Sequence, residues 1–276
     1  MSTVIALIFG TALTLDWLSR FGAVPATTGL LGLAIWAGVL AGWSHDLIRE
    51  LTTEPSGLET IDLMAQIPVD DKPAFMLPWG PRYSAAAYAE IVTGEYSNIR
   101  VVDHKADYRA LVADGYQLYT EPETFYTYPP PWSTVFSAES SWWIEHLGHI
   151  TLQSAAPGIV QILNTPKIAA AGTPSGDIIL GAIERRDAWL TCDDDHIYLH
   201  VIWGTDARPD RDPSIFVHLT SDEPAPDPPN ADRRHPVYGL YPFSEWSPGE
   251  IVRDDYTLPR LPDKTQVRFG LYEQDD

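Results

Sequence analysis

Tyr241-Pro-Phe-Ser-Glu-Trp246-Ser-Pro-Gly249-Glu-Ile-Val-Arg-Asp254-Asp-Tyr256-Thr-Leu-Pro259 is the stretch on which the reading of the fold turns. Pro248-Gly249 makes a tight turn, after which Val252, Asp254 and Tyr256 alternate with Arg253 and Asp255, the period-two pattern of a strand with two unlike faces. Trp246, following a Tyr-Pro turn, is placed to plug the end of a β-sandwich. From about Ala182 onward helical periodicity is absent, and the runs IYLHVIW (197–203), IFVHLT (215–220) and QVRFGLY (266–272) are divided by Pro- and Asp-rich turns. In IYLHVIW, Ile197, Leu199, Val201 and Trp203 share the expected core face, and His196, Tyr198, His200 and Ile202 share the other.

Upstream the period changes. Ser56-Gly-Leu-Glu59 is a capping-box pattern opening an apolar-periodic helix with Leu58, Ile61, Leu63, Met64 and Ile67. AFMLP (74–78), NIRVV (98–102) and QLYT (117–120) then read as strands, separated by helical stretches at 83–92 and 107–112. This βαβαβ spacing predicts a small parallel sheet with right-handed crossovers. Such sheets bind ligands beyond the carboxyl ends of their strands, which directs attention to Trp79-Gly80-Pro81-Arg82, with Arg82 as an anion-binding candidate, and to Asp103-His104-Lys105, where His104 offers acid–base chemistry. Both segments also read as ordinary turns, with Asp103 or Asp107 capping the next helix. No glycine-rich phosphate motif and no nucleophile elbow occurs. Residues 121–150 are dense in aromatics, including Phe125, Tyr126, Tyr128, Trp132, Trp142 and Trp143, which suits packing, a membrane surface or a saccharide surface.

Charge is distributed unevenly. The 276 residues carry a formal net charge of −20, whereas residues 1–52 hold two basic and three acidic side chains. An acidic surface repels phosphate backbones, so nucleic acid is excluded as a partner. The single cysteine, Cys192, excludes a disulfide framework and a multi-cysteine zinc site. Val24–Trp43, VPATTGLLGLAIWAGVLAGW, runs without a charge and at about 1.5 Å per residue matches a ~30 Å hydrocarbon core, so a transmembrane helix is expected there. The shorter apolar run Thr3–Leu15 reads as a clipped preceding span. Arg20 between them puts that turn in the cytoplasm and the rest of the chain outside. The expected fold class is therefore α+β and multi-domain: N-terminal transmembrane helices (1–52), a small α/β domain with a mainly parallel sheet (53–165), and a C-terminal antiparallel β-sandwich (166–276).

Together with Phe216-Val-His-Leu219 and Gly270-Leu-Tyr272, the 241–259 stretch resembles the carboxyl-terminal extracytoplasmic sandwich of bacterial polytopic glycosyltransferases of the GT-C type, which are similar to protein mannosyltransferases and aminoarabinose transferases. The resemblance spans Arg186 to Tyr272. It implies that the intact relatives transfer sugar from a polyprenyl-phosphate donor to an extracytoplasmic acceptor, using carboxylates in a first outward loop. This chain has no such loop between its apolar segments, and no catalytic residue carries over. The expected function is thus a non-catalytic, membrane-anchored portion of a glycosyltransferase that positions acceptor or partner helices at the bacterial cell membrane. Its implied partners are the lipid bilayer, the remaining transmembrane helices, and a glycan or polyprenyl-phosphate sugar.

An alternative is a stand-alone envelope carbohydrate-binding or adhesion protein, and a third reading is an enzyme working at the strand ends. The ligand-binding candidates are Trp79, Arg82, His104, Trp132, Trp143 and Trp246. No cofactor or metal is expected. Asp193-Asp-Asp-His196 reads as a solvated hairpin turn, and His200 with His218 lacks a third ligand.

Overall fold

The computed structural model describes residues 55–69, 72–133, 141–221, 228–262, 264 and 266–273, together with 20, 27, 31, 32, 34–39 and 42. The chain divides into two compact units, Met1–Pro55 and Ser56–Asp276.

In the first unit the described residues 27, 31, 32, 34–39 and 42 are helical. Among the described residues no helix is long and apolar enough to cross a membrane, which overturns the expected N-terminal transmembrane helices. A span needs about 20 consecutive apolar helical residues, and the longest described helical run here is 34–39. The remainder of Val24–Trp43, and all of Thr3–Leu15, lie outside the described residues. The membrane anchor and the placement at a cell membrane lose their support with it.

The second unit opens with α1 (Ser56–Met64), β1 (Pro73–Met76), α2 (Pro81–Tyr88), β2 (Arg100–Val102), α3 (Tyr108–Ala113), β3 (Gln117–Thr120), α4 (Thr124–Thr127) and α5 (Ser141–His146). Strands β4 (Thr151–Ala156) and β5 (Ile159–Leu163) follow as a hairpin. The resulting five-stranded sheet has the order β2-β1-β3-β5-β4. Strand β1 is parallel to β2 and β3, whereas β5 runs antiparallel to β3 and β4. The expected mainly parallel sheet is therefore a mixed one. The hairpin turns at Pro157-Gly158, where Gly158 has φ 81° and a Cβ would lie 2.7 Å from Leu63 Cδ2, so only glycine fits.

Strand alternation divides the sheet between two cores. Phe75, Leu77 and Tyr119 pack with Met64, Ile67 and Ala86 beneath α1 and α2. Ala74, Met76, Leu118 and Leu152 pack with Tyr108, Leu111, Phe125 and Trp143, and this second core continues without a break into the C-terminal sheets.

Those sheets are β6 (Asp177–Leu180), β7 (Ile183–Cys192), β8 (His196–Thr205) and β10 (Ile251–Pro259) in the order β10-β8-β7-β6, and the pair β9 (Ser214–Thr220) with β11 (Gln266–Tyr272). Pairing within both is antiparallel. Leu199, Val201 and Trp203, the face that alternation assigns to the interior, share a core with Ile215, Val217, Leu219, Val252, Tyr256 and Leu258. Strand β10 also meets the mixed sheet, where the Asp255 N–H donates to Ser154 Oγ at 3.2 Å.

Candidate functional site

Because β1 and β2 are parallel neighbours, the residues after them meet. Trp79 Nε1 donates to Asp103 Oδ2 at 2.6 Å, and Lys105 Nζ lies 4.4 Å over the Trp79 ring. His104 touches the edge of Trp79 with ring centres 6.3 Å apart and stacks on Tyr128 at 5.8 Å. Burial works to raise the Asp103 carboxyl, but hydrogen bonds from the Lys105 amide and Trp79 outweigh it and hold the group below its ordinary value. Trp79, Asp103 and Lys105 thus satisfy one another on the surface, and the His104 Nδ1 is buried without a partner.

Arg82 lies on α2 and engages Glu121, which is buried at the end of β3 and also accepts Thr60 Oγ1 at 2.6 Å. Glu59 is 3.8 Å from the same guanidinium. Burial pushes the Glu121 carboxyl up, against Thr60 and Arg82. The charge on Arg82 is accordingly spent on a buried carboxylate, which argues against a dedicated anion site.

The tryptophans separate by environment. Trp143 is fully buried, stacks on Phe125 at 5.5 Å and donates Nε1 to the Tyr128 carbonyl at 2.8 Å. Trp246 is fully buried between Tyr241 and Phe243, 5.9 and 4.7 Å away. Trp132 is half-buried, lies 5.0 Å from Tyr241 and donates to the Leu240 carbonyl at 2.8 Å. Of the six sequence candidates, the structure brings Trp79 and His104 together, sets Arg82 in a cleft, and commits Trp143 and Trp246 to the core.

That cleft, a cavity of about 820 Å³, is lined by Arg82, Glu59 and Asp62 from the helices, by Glu123 and Tyr126 after β3, and by Tyr198, Arg233 and Tyr238 from the C-terminal half. Arg233, which the sequence presents only as an ordinary loop charge, is its most heavily supported member. Its guanidinium lies 4.5 Å from the centres of both the Tyr238 and Tyr256 rings. Nη1 donates to Asp254 Oδ1 at 3.2 Å and to the Asp255 carbonyl at 2.9 Å. Asp254 is fully buried and also accepts from Val237 N at 3.0 Å and from the Tyr256 hydroxyl.

Val237 and Tyr238 have φ of 53° and 60°, in the left-handed region. For a β-branched residue this costs on the order of 1–3 kcal/mol. The amide bond to Asp254 and the bridging Tyr238 hydroxyl, which donates to the Ala156 carbonyl at 3.0 Å and accepts from Gly158 N at 2.6 Å, hold the turn. Nothing local announces this arrangement, because Asp254 is 21 residues from Arg233.

Asp193 accepts from the amides of Asp195 and His196 at 2.9 and 2.7 Å and from Tyr198 Oη at 2.7 Å, bonds that lower its carboxyl to about 2. It closes the β7–β8 hairpin. His200 and His218 sit on β8 and β9 in different sheets, and His218 faces Asp232 at 3.2 Å. Among the described residues no group of three or more His, Cys, Asp or Glu side chains could hold a metal ion.

Three buried carboxylates make stability depend on pH. Burial raises Asp254 to about 6 against its hydrogen bonds, and it raises Glu121 and Glu250 as well. The folded state therefore binds these protons more tightly than the unfolded chain, whose carboxyls titrate near ~4. Their stabilising contribution is complete below that value and is lost as pH rises through about 6 for Asp254. The urea midpoint is expected to be higher at pH 5 than at pH 7, with a smaller difference in Asp254→Asn. A midpoint that rises between those pH values would refute this account.

Set against protein-family models, curated proteins and solved structures, the chain matches none.

Proposed function

We propose that the protein binds a saccharide in this cleft and positions it without making or breaking a glycosidic bond. The observation that carries the reading is the Tyr126 ring, 82% exposed, in a cavity whose walls hold Glu59, Asp62 and Glu123. A flat apolar ring stacks on the C–H face of a pyranose, and carboxylates accept pairs of vicinal hydroxyls. Both arginines of the cleft face buried carboxylates of their own, Glu121 and Asp254. The remaining wall is acidic, so it favours a neutral or amine-bearing glycan acceptor over the anionic polyprenyl-phosphate donor. The likeness of residues 186–272 to the sandwich of GT-C-type glycosyltransferases supports the same acceptor-positioning role.

The test is a glycan array with the full chain, followed by calorimetry on the best neutral ligand. Tyr126→Ala and Glu123→Gln should each weaken binding by about tenfold, the loss of one well-placed contact of ~1–2 kcal/mol. Absence of binding to any glycan, or affinity unchanged in Tyr126→Ala, overturns the proposal.

A further inference from the structure

Across the outer face of the four-stranded sheet, three neighbouring strands bring together side chains distant in sequence. The register sets Trp189 on β7 opposite His200 on β8, and His200 opposite Asp255 on β10; Thr191, two residues beyond Trp189, shares their face. Thr191 Oγ1 is 2.7 Å from His200 Nε2, and His200 Nδ1 is 2.8 Å from Asp255 Oδ1. Asp255 and His200 are buried, with 1% and 5% exposure, while Thr191 is exposed.

His200 Nδ1 faces two groups, Asp255 Oδ1 at 2.8 Å and the donor-only Arg253 Nη2 at 3.2 Å. With the nearer carboxylate as its partner the imidazole carries its proton on Nδ1, and Nε2 turns its lone pair to the threonine hydroxyl. The Trp189 ring stacks on the imidazole at 5.0 Å, and Arg253 Nε donates to Asp255 Oδ1 at 3.0 Å, so ring and carboxylate are both held in place. Asp255 Oδ2 is buried and has no hydrogen-bond partner.

We propose that Thr191, His200 and Asp255 form a nucleophile, base and orienting carboxylate that hydrolyse small acyl esters. Thr191 Oγ adds to the ester carbonyl carbon while its proton passes to His200 Nε2. The tetrahedral adduct collapses, the carbon–oxygen bond to the alcohol breaks, and the imidazolium returns the proton to the departing alkoxide. Water, deprotonated by the same imidazole, then attacks acyl-Thr191 and releases the carboxylic acid with Thr191 restored. Asp255 touches no substrate and acts as a positioning residue. Thr191 lies directly opposite Tyr198, which lines the saccharide cleft, so the ester class that fits is an O-acyl group carried on a hydroxyl-rich ligand.

The relay goes beyond saccharide binding and is tested without it. The full chain is assayed with p-nitrophenyl acetate. Turnover above buffer is expected, with release of p-nitrophenol and an acetyl adduct on the Thr191 peptide by mass spectrometry. Thr191→Ala and His200→Ala should each reduce turnover by about a hundredfold or more, and Thr191→Ser should retain it. Thr191 is exposed, so circular dichroism of Thr191→Ala should match the parent and separate loss of chemistry from loss of fold. For Asp255, the downfield Nδ1–H proton resonance of His200 should be present in the parent and absent in Asp255→Asn. Absence of turnover by the folded parent, or turnover unchanged in Thr191→Ala, overturns the proposal whether or not glycans bind.

Discussion

Arg233→Ala is expected to destabilise the protein by about 3–5 kcal/mol, because it leaves a buried carboxylate without its counter-ion. Asp254 is wholly shielded from solvent, and Arg233 is the cation paired with it at 3.2 Å. The substitution also empties the space between the Tyr238 and Tyr256 rings and removes a donor from the Asp255 carbonyl. With the counter-ion gone, the strained Val237–Tyr238 turn depends on a carboxyl driven further toward its protonated form. A loss of this size is a large fraction of the stability of an ordinary domain, so the thermal midpoint should fall steeply. Arg233→Lys retains the charge but loses the planar guanidinium that fits between two rings, and an intermediate loss is expected. Urea denaturation at pH 7 decides the matter. A change below about 1 kcal/mol in Arg233→Ala would mean that Asp254 is already protonated and the pair holds nothing together.

The second large effect concerns the residue that reads in the sequence as a plug or a sugar platform. Trp246→Ala should cost about 3–5 kcal/mol, the usual range for a large aromatic removed from a packed interior. Trp246 is fully buried against Tyr241 and Phe243, and its Nε1 has no hydrogen-bond partner. Trp246→Phe therefore gives up volume but no hydrogen bond and should cost markedly less. Trp79→Ala is the contrasting case. That ring is 64% exposed, and its loss should move stability by no more than about 0.5–1 kcal/mol. Equal effects at the two positions, measured by denaturant midpoints, would contradict the division into core and surface tryptophans.

How far the sequence reveals this molecule depends on the reach of each signal. Asp107 reads as a helix cap, and its carboxylate accepts from Ala110 N at 3.0 Å. The Asp193–His196 turn reads as a hairpin and is one. Both rest on contacts a few residues apart. The β4–β5 hairpin carries only the Pro157-Gly158 turn signal, and its place in the sheet depends on pairing with β3, a contact far away in sequence. The uncharged 24–43 run carries strong hydropathy, yet among the described residues it supplies no helix long enough to cross a membrane. Trp143 is not distinguishable from Trp79 in the sequence, since an indole has the same composition whether it fills a core or faces water, whereas Trp246 after its Tyr-Pro turn reads as a plug as well as a sugar platform and is buried.

By itself the sequence determined the local grammar of this protein: where alternation makes strands, where Asp, Gly and Pro turn the chain, and which face of 197–203 is apolar. Each follows from backbone sterics and side-chain periodicity within a few residues. Only the tertiary structure decided that Arg233 meets Asp254, that Arg82 meets Glu121, and that Thr191, His200 and Asp255 fall into one line. The physical reason is that hydrogen bonds and ion pairs of this kind are set by strand register and sheet packing. These join residues from 9 to 55 positions apart, and the local pattern around either partner does not name the other.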